Sequence, residues 1–551
     1  MGYLMGRAAV VRLCVAAISL PAWAQAPSSP EAEAGRMRTL QVQSRSAGFN
    51  VTGYAVEGNT LVSDEQAQAA LAPFVGADKR MADVRAAADA LHAVYERAGY
   101  AVVKVFPPAQ ESSDGRIVLR VVEGRVRSVT VKGNAAYGEA NIRTSLPPLK
   151  EGEAPHVGRV VAAIAAANDN PAKQVAVNFA AGEAPGIIDA VVNVSEDRPQ
   201  KFTLALDNAG SPSTGEYRVT LGYQNANLFD RDHIVTAQLG SSLEHPDKSS
   251  NVSAGYRLPL YSYGMSLDFV AAYSDTNTGQ TLTPAGPMSF TGKGTMLAAR
   301  ANLPLQSIGE LRHKLIYGLD YKDFSNACTG VASGSCGTVT SSPASLSYAV
   351  QYHRPEVQSG GGLTYAVNLP GGPNGSQADY AAARQSAVRR WQALRLNGYV
   401  AVPVAGDWQF RGNLAAQYTP DRLIAAEQFG LGGATSVRGY AERVVSGDNG
   451  YGANLEIHTP DLAPQLSLAG ASLRLLAFVD AGRVQPVSPL PGESARSLAS
   501  AGLGLRFALG RDLALRCDLG YSLDDLPATS GAGTIRDKGR SFGHIAIIYA
   551  F

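Results

Sequence analysis

The sequence predicts two tandem α+β modules followed by an all-β barrel that crosses a membrane. Three observations carry this prediction. A strand that stops at Gly-Asn, with helices and strands behind it, occurs twice, 75 residues apart. From residue 199 to residue 551 the chain alternates apolar and polar residues in short runs. The N-terminus has the layout of a secretory signal, so the chain leaves the cytoplasm.

The signal spans residues 1–24. Arg7 and Arg12 are its basic residues, Val10–Leu20 is its apolar core, and Ala22-Trp23-Ala24 is a small-x-small cleavage site before Gln25. Cys14 leaves with it. Beyond it no run approaches the ~18 apolar residues that a transmembrane helix needs, so any membrane span must be a β-barrel. The composition agrees. Of 551 residues only 17% are charged, with 58 Gly and 23 Tyr, whereas soluble domains carry about a quarter charged residues. A net charge of +1 gives no electrostatic case for nucleic acid. The eight His are scattered, and no catalytic triad, paired carboxylates, phosphate loop or metal-ligand spacing stands out. The sequence therefore predicts no enzyme, no cofactor and no metal.

Residues 25–48 read as a short segment before the first module, with Glu31–Val42 able to form a helix. The first module, 49–124, opens on Tyr54-Ala55-Val56-Glu57-Gly58-Asn59. Ser63 and Gln66 predict a capping box for a helix through Leu71. Asp83 is expected to cap a second helix with Val84, Ala87, Leu91, Val94, Tyr95 and Ala98 on one face and Gly99 as its stop. Strands Tyr100–Phe106 and Ile117–Val122 follow. The second module, 125–198, opens on Val129-Thr130-Val131-Lys132-Gly133-Asn134. It is expected to carry a weak helix over Tyr137–Leu146, a helix with Val157, Val160, Val161 and Ile164 on its buried face, and strands Gln174–Phe179 and Ile187–Val194. Both read β-α-α-β-β.

The rest, 199–551, is the barrel. Phe202, Leu204 and Leu206 alternate with Thr203, Ala205 and Asp207; Leu513, Leu515, Cys517, Leu519 and Tyr521 alternate with Ala514, Arg516, Asp518 and Gly520. Alternation alone does not fix which row faces inward: a soluble barrel would fill itself with the apolar row. The export signal, tyrosines near the ends of runs, and polar rows holding Arg and Asp select the lipid-out, water-in sense. The last run alternates Ile545, Ile547, Tyr549 and Phe551 with His544, Ala546, Ile548 and Ala550. Cys328 and Cys336, with seven residues between them in a Gly/Ser/Thr-rich loop, could form a disulfide in an oxidising compartment.

Two stretches then become specific. Glu427–Tyr440 ends in Val437-Arg438-Gly439-Tyr440, and Phe478-Val479-Asp480-Ala481-Gly482 follows in the next strands. The first closely resembles the VRGY or VRGF loop of the POTRA-plus-barrel outer-membrane superfamily. The second resembles that superfamily's wall motif, in which Phe478, Asp480 and Gly482 occupy the fixed positions. The resemblance extends to Gly447–Tyr451 and Asn454–Glu456 and covers nearly the whole mature chain. It implies a barrel of sixteen antiparallel strands, a loop folded back into it, and Arg438 paired with Asp480, either as a fixed staple or as a part that moves. Two modules, with Asn168-Asp169-Asn170-Pro171 and the strand 186–197, resemble two-partner secretion transporters, the TpsB exporters of haemolysins and filamentous haemagglutinins. The resemblance implies export of one dedicated large exoprotein of adhesin or haemolysin type, received by the periplasmic modules. It implies outer-membrane lipid around the barrel, and assembly machinery that reads the final strand at Tyr549 and Phe551. Assembly of other barrel proteins is the alternative, and a small-solute porin a third. Family members often carry a plug helix; a helix of ~12 residues spans only ~18 Å, so a plug here is expected to be short or missing.

Overall fold

The computed structural model describes residues 48–111, 114–210, 214–275, 280–283, 286–289, 293–325, 337–525 and 539–551. The expected signal, the plug helix and the Cys328–Cys336 pair lie outside them. The chain divides into two compact units, an N-terminal arm and a barrel.

In the arm, β1 (Phe49–Val51) and β2 (Gly53–Glu57) lead to α1 (Asp64–Leu71), β3 (Gly76–Lys79), α2 (Met81–Arg97), β4 (Val103–Phe106) and β5 (Arg116–Glu123). The second module follows as β6 (Arg125–Lys132), α3 (Glu139–Thr144), α4 (Val157–Ala167), β7 (Lys173–Ala181) and β8 (Ile187–Glu196). The sheet orders are β2-β5-β4 and β6-β8-β7, with the first pair parallel and the second antiparallel in each. The two modules thus share one topology. The β1–β3 pair, too short to leave an alternation in the sequence, is an addition to the first.

The Gly-Asn turns explain the repeat. Gly58 and Gly133 sit at φ +84° and +82°, and a Cβ on either would stand 2.4 Å from the carbonyl oxygen of Val121 or Val194. Only glycine fits. After the glycine, the Asn59 and Asn134 amides each donate to the carbonyl three residues on, at 2.9 Å. An acid at the end of the central strand then collects the turn's N–H groups. Glu123 accepts from Thr60 and Leu61, and Glu196 from Ala135, Ala136 and Tyr137. N–H groups turned out of the sheet ladder need other acceptors, and one carboxylate serves several.

Two local expectations change. The cap of α2 is Arg80, and Asp83 lies one turn inside, its carboxylate accepting the Arg80 N–H at 2.7 Å. An acid at that position satisfies the first free amide as well as a cap residue would. In α4 the buried face is Val160, Ala163, Ile164 and Ala167, and Val161 points outward. Small alanines reach the sheet where β-branched Val161 was expected to.

The barrel begins with β9 (Gln200–Asp207), β10 (Arg218–Leu228), β11 (His233–Ser242), β12 (Ser250–Leu260) and β13 (Met265–Ser274). A loop hairpin of β14 (Gln280–Thr283) and β15 (Gly286–Ser289) precedes β16 (Lys293–Pro304), β17 (Leu311–Ser325), β18 (Thr338–Arg354) and β19 (Val357–Leu369). A loop holding α5 (Gln377–Ala383) leads to β20 (Gln392–Pro403) and β21 (Gln409–Tyr418). A second loop hairpin, β22 (Phe429–Leu431) and β23 (Val445–Gly447), is followed by β24 (Asn449–His458), β25 (Ala471–Gln485), β26 (Arg496–Leu509), β27 (Leu513–Ser522) and β28 (Ser541–Ala550). Leaving out the two hairpins, sixteen strands close into one barrel, β28 pairing β9 antiparallel.

The register carries one face around the whole circle. Tyr223 pairs Phe202 and Ala237, Leu319 pairs Ala299, and Leu503 pairs Leu519, all on the outer row. That row is apolar and exposed: Leu221, Leu319, Leu503 and Leu519 are each more than half exposed. In water such a belt would be a large aggregation surface; in lipid it is the solvent-facing surface. Outward Tyr217, Tyr273, Tyr321, Tyr418, Tyr451 and Tyr521 lie near one set of strand ends, and Tyr348, Tyr549 and Phe551 near the other. These are two aromatic girdles at the height of lipid head groups. Cys517 belongs to the outer row.

Candidate functional site

β8 ends at Glu196 and β9 starts at Gln200, so the near end of the barrel is where the arm's chain enters it. The connection from β21 to β24, residues 419–448, leaves from the far end and turns back into the lumen. The β22–β23 pair forms its stem. Leu431, Val437 and Tyr440 pack there with Val484 and Leu498 of the wall. Gly432, Gly433 and Gly439 have φ of +106°, +104° and +88°, which let the tip fold on itself.

Arg438 is at the centre of the tip and is 1% exposed. Its Nε and Nη2 both lie 2.8 Å from the two Asp480 oxygens, a bidentate fork, and its own backbone N–H donates to the same carboxylate at 3.0 Å. Nη1 donates to Glu456 at 2.6 Å and reaches Asp518 at 3.4 Å. The guanidinium carbon lies 3.5 Å from the centre of the Phe478 ring, a cation–π contact. Two more arginines complete the cluster. Arg506 and Arg516 bind Asp518 at 2.8 and 2.7 Å, and Arg516 donates to the Ala434 carbonyl of the loop at 2.6 Å. His458 lies 2.8 Å from the other Glu456 oxygen. Three guanidinium groups thus face the carboxylates of Glu456, Asp480 and Asp518, a neutral balance that offsets part of the cost of burying six charges.

Each fixed position of the two short motifs has a physical role in this geometry. Phe478 is the platform under Arg438, and Asp480 is the acceptor of its fork. Gly482 makes room for the stem, since a Cβ there would stand 2.7 Å from Leu431 Cδ1. Gly439 lies against Gly520 of β27, where a Cβ would fall 2.6 Å from the Gly439 nitrogen. Its N–H donates to His544 Nε2 at 3.2 Å. The Tyr440 hydroxyl donates to the Ala499 carbonyl at 2.9 Å and accepts the Asp524 N–H at 3.1 Å. Asn454 donates to the Ser436 carbonyl.

The structure therefore brings Val437–Tyr440 and Phe478, Asp480 and Gly482 together. Tyr549 and Phe551 stand apart from them, on the outer face at the near end, their rings stacked at 5.6 Å. Sequence reasoning missed Arg506, Arg516, Asp518, His458 and His544 as members of the site. The charged inner row of β27 was visible, but what faces it was not. Among the described residues no group of His, Cys, Asp and Glu is placed to hold a metal.

Comparison with known proteins fits this architecture. The family model described as haemolysin secretion/activation protein ShlB/FhaC/HecB matches residues 186–507, and a POTRA domain of ShlB type matches residues 49–124. Among curated proteins, the outer membrane transporter CdiB of Escherichia coli is 24% identical over 413 residues, covering 73% of this chain and 67% of that protein. The CdiB of Dickeya dadantii (strain 3937) is 25% identical over 402 residues, covering 71% and 68%. The solved structure of CdiB from Escherichia coli superposes with a TM-score of 0.74 at 20% identity, covering 93% of this chain and 92% of that one. The match over more than half of the sequence establishes that this chain belongs to the ShlB/FhaC/HecB family of haemolysin secretion/activation proteins, outer-membrane barrels with a periplasmic arm.

Proposed function

We propose that the protein carries one dedicated, large secreted polypeptide of adhesin or haemolysin type from the periplasm to the cell surface. The observation that supports this most is the VRGY loop folded back into the lumen and locked onto Asp480. It occurs within a stretch that matches a secretion/activation family. A loop folded into the lumen also suits a solute channel, so it is the family match over the same stretch that turns the reading toward secretion.

In this reading the partner arrives unfolded in the periplasm and its N-terminal part binds the arm. Both modules offer sheet edges for strand addition, β2 and β4 in the first, β6 and β7 in the second. The second module acts as a second POTRA domain, supported by its element order and its Gly-Asn-acid turn. The chain then threads the lumen and folds outside, and that folding supplies the drive without covalent chemistry. Tyr549 and Phe551 serve earlier, as the strand end that the barrel-assembly machinery reads, and the outer apolar rows meet lipid.

The test is secretion of the large exoprotein encoded with this gene, measured in the medium of cells with and without the transporter. Loss of that one protein, with other outer-membrane proteins at normal abundance, is expected. A general fall in other barrel proteins would instead favour an assembly factor. Deletion of residues 49–196 should stop export while leaving the barrel in the membrane.

A further inference from the structure

A second set of contacts closes over the lumen at the far end, on the wall opposite the Arg438 cluster. Three connections take part: residues 370–391 with α5, the first turn of the 419–448 loop, and residues 486–495 between β25 and β26. Their apolar side chains turn inward. Tyr380, Trp391, Leu423 and Ile424 are fully buried against Val270, Met296, Phe324 and Val339, which belong to the inner rows of β13, β16, β17 and β18. Glu427, at the root of this body, is fixed to the wall by Lys322 at 3.0 Å and Arg395 at 2.9 Å.

Above this apolar layer lies a polar clasp that joins all three connections. The Asp448 carboxylate is fully buried. One oxygen accepts from Arg384 at 2.5 Å, the Leu423 N–H at 3.0 Å and Gln428 at 3.1 Å. The other accepts from Arg384 at 3.2 Å and the Val487 N–H at 2.8 Å. Arg422 runs through the same place in the opposite sense. It donates to the carbonyls of Gln385, Val487 and Ser488 at 2.8, 3.2 and 3.0 Å, and to Glu493 at 2.5 Å. One acid and one arginine, both buried, thus hold three loops with nearly every polar position used. In such a network the contacts support one another, and losing one partner leaves others without theirs.

We propose that these three loops form a latch across the outer mouth, with Asp448 and Arg422 as its clasp, and that the latch must lift for the exoprotein to leave. The inference rests on the transport reading above. It gives one inward-folded connection two locks: its VRGY tip docks on β24–β28, and its first turn and last residue join the latch, which packs on β13–β18 and takes in the β25–β26 connection.

The test fixes the latch to the wall. The Asn374 carbonyl of the latch accepts the Thr340 N–H of β18 at 3.0 Å, so the two backbones are adjacent. Thr340→Cys with Asn374→Cys, in a background without the native cysteines, is joined by a short bis-maleimide in whole cells. Secretion of the co-encoded exoprotein by the linked barrel should fall about tenfold or more, with each single-cysteine protein unaffected by the reagent. Linked barrels that secrete normally overturn the latch. If the unlinked parent does not secrete either, the transport reading has failed instead. A second measurement holds if the double variant does not fold. Asp448→Asn places an amide N–H among donors; combined with Arg438→Ala, which releases the other lock, it should raise uptake of a large antibiotic several-fold over Arg438→Ala alone at unchanged barrel yield, and no rise over that single variant counts against the clasp.

Discussion

A guanidinium inside a barrel wall is costly unless every N–H ends on an acceptor, and Arg438 meets that condition only with its tip docked. Arg438→Ala leaves three carboxylates against two arginines, and a buried pair broken on one side costs about 3–5 kcal/mol. The loop should undock, seen as new protease cleavage within residues 432–442 of detergent-solubilised barrels, and secretion should fall. Arg438→Lys is the sharper experiment. An ammonium is a point charge that cannot make the fork to Asp480, so an intermediate loss is expected, and full activity would reject the fork as the element that matters. At this scale Arg438, Asp480 and the motif glycines were legible because each sits in a contiguous stretch with a fixed pattern. Glu456 was legible as part of a motif but not as a partner of the tip, and His544 was not legible at all, because they meet the tip from 18 and 105 residues away and only the closed register brings them there. The Phe478 ring was legible as a motif letter but not as a cation–π platform.

At the scale of elements, the turn that closes each arm module depends on one acid. Glu196→Ala leaves the N–H groups of Ala135, Ala136 and Tyr137 without their acceptor; only Tyr137 is buried, so the loss falls at the low end, about 1 kcal/mol, of the cost of an unmade buried hydrogen bond. The urea midpoint of the arm transition should drop while the barrel transition stays in place; an unchanged midpoint would mean that water replaces the carboxylate. The Gly-Asn repeat and the capping box at Ser63 were readable because their signals are local. The buried face of α4 was misread because hydrophobicity favoured Val161 over Ala163, whereas the angular position on the helix favoured the alanine. The latch adds a pH prediction. The Arg422 guanidinium that hydrogen-bonds Glu493 holds its carboxyl down at about 2, against an ordinary 4.5. A lowered pKa means that the contact contributes fully above the ordinary value and is lost as pH falls through about 2. Channel conductance in planar bilayers should be flat from neutral pH down to about 4.5 and rise below it, and a rise near pH 6 would point to a histidine instead.

For the whole molecule the decisive quantity is which row faces outward. Alternation by itself cannot choose, since a filled soluble barrel and a lipid-facing one have the same period. The export signal, the tyrosines near strand ends and the rows that hold Arg and Asp choose the lipid-facing sense, and the structure agrees: Tyr stands at both heights of the outer row, and charged members of that row such as Lys293 and Arg483 lie at strand ends. That sense can be tested by one charge placed on each face. Leu503, 67% exposed at the middle of β26, belongs to the outer row, while Thr220 lies on the inner row opposite Ala205 and Gly240. Leu503→Arg puts a cation in the hydrocarbon and should cost about 2–4 kcal/mol, lowering the yield of folded, heat-modifiable barrel in the outer membrane. Thr220→Arg puts the same group into a polar lumen beside the Arg438 cluster's wall and should leave that yield near normal, with any effect confined to conductance. The two results exchanged would mean that the apolar row is the filled interior and that the barrel does not span lipid at all. Equal losses would mean that both faces are packed, which the exposure of the outer leucines already argues against.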